Sequence, residues 1–119
     1  MHLARLVGTT EVPAALIRQI FDIIGQAYGD EFDPDSIDAA RFATHLRYFF
    51  ARARAGKQLS GGAPAVAVVV SDSNSRAYQL ALRIKAVLEL RLQHPVTTDE
   101  VVYLTMHVAR LETGMRTRA

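Results

Sequence analysis

Val96-Thr97-Thr98-Asp99-Glu100-Val101-Val102-Tyr103-Leu104-Thr105-Met106-His107-Val108-Ala109-Arg110-Leu111 is the stretch that decides the fold. Thr97 followed three residues later by Glu100 has the pattern of a capping box. The Thr hydroxyl accepts from the Glu100 amide and the Glu100 carboxylate reaches back to the Thr97 amide. A helix is therefore expected from Thr98. Val101, Leu104, Thr105, Val108 and Leu111 recur at three- and four-residue steps and form one apolar face. His107 lies at the edge of that face, with Glu100, Tyr103 and Arg110 beside it by helical spacing.

The same periodicity recurs upstream. A first helix is expected from about Val12 to Tyr28, with Thr9 or Thr10 as cap, Pro13 in the first turn and Gly29 as the stop. A second runs from about Ser36 to Ala55, with Asp35 or Ser36 as cap. Phe42, Leu46, Phe49 and Phe50 face inward and His45 lies between Phe42 and Phe49. Asp38, Arg41 and Arg52 are within helical reach of His45 on that side. Lys57 to Pro64 is a glycine-containing loop. Ala65 to Val70 has strand propensity, but a lone strand has no partner in this chain. A short buried helix started by Pro64 is preferred. Ser71 to Asn74 offers caps for a long helix from about Ser75 to Gln93, and Pro95 separates it from the Thr97 helix. The expectation is an all-α, single compact five-helix bundle over residues 12–113, with 114–119 a disordered tail.

Composition narrows the chemistry. The chain has 119 residues, enough for one core. Half of it is hydrophobic and 22% is charged, with a net charge of +2. A nucleic-acid polycation is not indicated. There is no cysteine, so disulfides, thiolate metal sites and cysteine nucleophiles are excluded. No apolar run approaches the about 18 residues a membrane span needs. No signal peptide is evident, and a cytoplasmic location is expected.

Four histidines are present. His2 is near the start and His94 is in a turn. His45 and His107 each sit mid-helix on the margin of an apolar face, with arginine at helical spacing. Packed structural histidines are the plain alternative. A metal site lacks the required spacings, and neighbouring arginines repel a cation. No cofactor is expected. Nucleophile elbows and glycine-rich phosphate loops are absent from the sequence, so no enzyme is expected. A phosphoacceptor role uses both the histidines and the basic residues: a neutral imidazole nitrogen is a nucleophile, and arginine binds the resulting anion.

Three motifs carry a family resemblance. His45-Leu46-Arg47-Tyr48-Phe49-Phe50-Ala51-Arg52, Arg76-Ala77-Tyr78-Gln79-Leu80-Ala81 and Thr97 through Arg110 resemble the PTS regulation domain found in BglG-type antiterminators and in some transcriptional activators. The resemblance spans roughly residues 12 to 111. It implies a dimerising five-helix bundle whose two histidines, here His45 and His107, are phosphorylated by phosphorylated HPr or an enzyme II B component. It further implies a homodimer that touches RNA only through an N-terminal domain absent here. The alternatives are a module of a DNA-binding activator or a structural dimerisation bundle. Met1-His2-Leu3-Ala4-Arg5-Leu6 nearly repeats Met106 to Leu111. Residues 1–11 therefore look like the end of a preceding copy, and the His45 motif like the second copy of a pair. Arg52 and Arg110 are the expected phosphate partners. Arg52→Ala is expected to weaken the response to phosphorylation more than folding.

Overall fold

A computed structural model of the protein describes residues 12–118. The Thr9 and Thr10 caps and the Met1–Leu6 repeat lie outside the described residues. The first helix, α1, spans Ala14–Tyr28 and starts at Pro13, whose carbonyl accepts from the Leu16 and Ile17 amides. Leu16, Ile20, Ile24 and Tyr28 are its buried stripe. Gly29 adopts φ +64°, which glycine enters without steric cost, and a 3₁₀ turn, Gly29–Glu31, follows.

The second helix, α2, spans Ile37–Arg54, and Ser36 Oγ caps it by accepting from the Ala39 amide. Phe42, Leu46, Phe49 and Phe50 are buried as their spacing requires. The segment of uncertain propensity is a helix, α3, Pro64–Ser73, with Pro64 in its first turn. It differs from expectation in being a surface helix. None of its residues is fully buried, and Val66, Val68 and Val69 are 54%, 57% and 62% exposed.

Helix α4, Ser75–Leu92, follows after the single residue Asn74 and ends at Gln93, which adopts a left-handed conformation. The Ser71–Asn74 cluster does not cap α4 by side-chain hydrogen bonding. Asn74 Nδ2 instead donates back to the Val70 carbonyl, closing the end of α3. Helix α5 spans Thr98–Arg118. It passes the end expected at residue 113, because Met115 continues the stripe of Val108 and Leu111 into the core. The described chain is thus an all-α bundle of five helices, with α5 packed chiefly on α4 and next on α2.

The capping box forms by half. Thr97 Oγ1 accepts from the Glu100 amide at 3.2 Å. The Glu100 carboxylate does not return to the Thr97 amide, which donates to Gln58 Oε1 instead. Glu100 is drawn to a charged partner on α2, a stronger hydrogen-bond donor than a neutral amide.

Candidate functional site

Helices α2 and α5 run antiparallel where they meet, and each presents one row of polar side chains to the other. Arg52 on α2 meets Glu100 on α5 in a two-pronged ion pair, Nε to Oε2 at 2.9 Å and Nη2 to Oε1 at 2.7 Å. Glu100 is 1% exposed, and its Oε2 also accepts from the Leu59 amide at 3.0 Å. A buried carboxylate is tolerable only with such partners. They also fasten the α2–α3 loop to the start of α5. Thr97 Oγ1 donates to the Leu59 carbonyl and Asp99 accepts from the Gly62 amide, reinforcing that attachment.

One turn further along α5 is Tyr103. The Arg52 guanidinium lies 4.6 Å from its ring centroid, a cation–π distance. The Tyr103 hydroxyl lies 2.8 Å from His45 Nδ1. One turn beyond Tyr103 is His107, whose ring stacks on that of His45. The centroids are 3.7 Å apart and the planes are 23° from parallel. Tyr103 packs edge-on against both imidazoles. Both histidines are half-buried.

This setting keeps both rings neutral. Burial, Arg110 and Arg52, in that order, hold the His45 pKa below its ordinary value. Burial, His45, Arg110 and Arg52 lower that of His107 to about 4. Each ring therefore retains a lone pair at neutral pH, which is the condition for nucleophilic attack. The cleft beneath the rings, between Phe42, Leu46, Phe49, Leu88 and Leu104, measures ≈ 10 Å³. That holds about one water molecule and no substrate. Among the described residues no group of three or more His, Asp or Glu side chains is placed to hold a metal. Two face-to-face imidazoles also direct their lone pairs along separate lines.

The structure therefore brings His45 and His107 together. Of the two arginines expected to serve phosphate, Arg110 is exposed and shares a shallow cleft with both rings, Asp38 and Arg41. Arg52 is engaged with Glu100 through Nε and Nη2. Helical spacing places Glu100 and Tyr103 near His107 but does not give their partners across the bundle. The signal available was the i, i+3, i+7 row of Glu100, Tyr103 and His107, which faces the α2 row of His45 and Arg52.

Residues 18–111, most of the chain and the whole of this site, match the PRD domain family. The chain belongs to the PRD domain family. The transcription antiterminator LicT of Bacillus subtilis is 29% identical over 93% of this chain and 42% of its own length. Protein GlcT of Staphylococcus saprophyticus is 29% identical over 78% of this chain and 33% of its own. The beta-glucoside operon antiterminator of Dickeya chrysanthemi is 21% identical over 97% and 39%. The chain thus spans between a third and about two fifths of these curated relatives. No solved structure matches it. A PRD domain is a regulatory module and not an enzyme. Among the described residues, no helix is long and apolar enough to cross a membrane.

Proposed function

We propose that this PRD domain is the phosphoacceptor module of a transcriptional antiterminator. His45 and His107 take phosphoryl groups from phosphorylated HPr or an enzyme II B component, and the modification controls dimerisation and the RNA-binding activity of the full-length protein. RNA is touched by an N-terminal domain, not by this bundle. The observation that carries the reading is the contact between the two neutral imidazoles near the bundle surface, with Arg110 beside both. A phosphoryl group brings about 1.5 to 2 negative charges, by analogy with phosphorylated hydroxyls, into a stack built for neutral rings. The names of the relatives favour antitermination over the DNA-binding alternative.

The test is acid-labile phosphate mapping of the full-length protein after incubation with the phosphotransferase proteins. Phosphate on His45 and His107 and none on His94 is expected. Its absence from both leaves the packed-histidine reading in its place.

A further inference from the structure

The two imidazoles differ in one respect that bears on how they react. His45 has one ring nitrogen already occupied. Its Nδ1 and the Tyr103 hydroxyl are 2.8 Å apart, a full hydrogen bond. An oxygen at that distance sits on the line along which an incoming phosphorus must approach the Nδ1 lone pair. The other nitrogen, Nε2, has no hydrogen-bond partner among the described residues.

We propose that Nε2 is the acceptor atom of His45, and that Tyr103 is the positioning residue that selects it. The assignment rests on the phosphoacceptor reading and adds the atom and the residue that fixes it. In the reactive tautomer Nδ1–H donates to Tyr103 Oη, so the lone pair resides on Nε2. The donor is a protein phosphohistidine whose ring is protonated. The Nε2 lone pair forms the new N–P bond as the donor's P–N bond breaks, and that electron pair returns to the donor imidazole. The donor ring becomes neutral and the His45 ring takes up the positive charge, with its proton still on Nδ1. Nothing is oxidised or reduced. Tyr103 Oη accepts the Nδ1–H bond before and after transfer, and that bond strengthens as the ring gains charge. The tyrosine is itself fixed by the Arg52 guanidinium against its ring.

His107 supplies the internal comparison. Neither of its ring nitrogens has a hydrogen-bond partner among the described residues, so Tyr103 imposes no isomer on it through a hydrogen bond.

The experiment reads the phosphohistidine isomer at each site by ¹H–³¹P correlation NMR and alkaline peptide mapping. The protein is loaded in two arms, one with phosphorylated HPr and one with phosphoramidate, which phosphorylates imidazoles without a protein donor. The expected result in both arms is a roughly five-fold or greater excess of the Nε2 isomer at His45, the selectivity one hydrogen bond supports. Tyr103→Phe keeps the ring beneath Arg52 and removes the hydroxyl, and it is expected to let the Nδ1 isomer appear at His45. Phosphate on His45 Nδ1 in the parent protein overturns the assignment while leaving the phosphoacceptor reading intact. An unchanged isomer ratio in a folded Tyr103→Phe variant overturns the role of Tyr103. No phosphate on His45 in either arm overturns the acceptor reading and this assignment with it. Should Tyr103→Phe fail to fold, the ¹⁵N shifts of His45 in the unmodified parent decide. The Nδ1–H form at neutral pH supports the assignment, and a dominant Nε2–H form overturns it.

Discussion

His45 and His107, from different helices, lie face to face with their ring centroids 3.7 Å apart. Such a contact does not hold with both rings charged, because two like charges at van der Waals distance repel strongly in a partly desolvated site. Burial and the nearby arginines keep both rings neutral. The contact is therefore a point at which one added charge acts on two helices together.

Replacing either histidine by aspartate places a permanent negative charge at this contact. His45→Asp and His107→Asp are each expected to shift the dimer dissociation constant of the full-length protein by about 5- to 150-fold, the range of ordinary allosteric coupling. His94→Asp, at an exposed turn position, is expected to leave it unchanged. Sedimentation equilibrium of the three variants decides, and equal behaviour of all three removes the switch.

Arg52→Ala is expected to cost about 2 to 4 kcal/mol of folding stability. Losing one partner of a buried ion pair costs about 3 to 5 kcal/mol, and the Arg52 side chain is 23% exposed. The change strands a fully buried carboxylate. The ion pair thus gives Arg52 a structural role beside the phosphate-binding role expected of it, and folding stability and the response to phosphorylation are to be measured on the same variant. Urea denaturation at neutral pH measures the cost. Glu100→Gln in the Arg52→Ala background should recover part of it, since an amide needs no counter-charge.

Stability should fall in acid through His107. Its folded pKa of about 4 lies below the ordinary value of 6.5, so the unfolded chain binds more protons between those values. The contribution is fully present above pH 6.5 and is lost as pH falls toward 4. The slope is at most about 1.4 kcal/mol per pH unit for one proton, reduced by solvent screening at a partly exposed ring. His45, Arg110 and Arg52 supply the repulsion, and Tyr103 packs against the ring. Urea midpoints between pH 7 and 4 should therefore fall less steeply for His107→Gln than for the parent.

Thr97→Ala should cost about 1 to 2 kcal/mol. It removes the cap on the Glu100 amide, typically worth about 1 kcal/mol, and the hydrogen bond to the Leu59 carbonyl. Thr97→Ser, which keeps the hydroxyl, should lie within about 0.5 kcal/mol of the parent. Thermal melts of the pair check this.

What the sequence makes legible is what repeats locally. The stripes on α1, α2 and α5 and the flanks of His45 and His107 all follow helical spacing, and the structure brings the two histidines together. The partners of Glu100 and His45 lie on other elements, and spacing within one helix does not pair its row with them. The sequence reading ends the bundle at residue 113, two residues short of Met115, which the fold buries. Asn74 was legible as a turn residue, but its choice of Val70 over α4 depends on where α3 stops. The exposure of α3 depends on how much core the other four helices fill.

The exposure of α3 bears on handling the protein. Helix α3 contains Ala65-Val66-Ala67-Val68-Val69-Val70, an uncharged, proline-free hexapeptide of four valines and two alanines. It has no fully buried side chain to hold it. Segments with so little buried surface open at the lowest free energy. Once open, this one is an apolar strand-former of the length and composition that seeds cross-β assembly. Loss of solubility on warming or concentration should therefore begin at this helix, while the histidine contact and the core around Phe50 are still intact. Asp72, at the far end of the helix, is the only charge α3 itself supplies against that outcome.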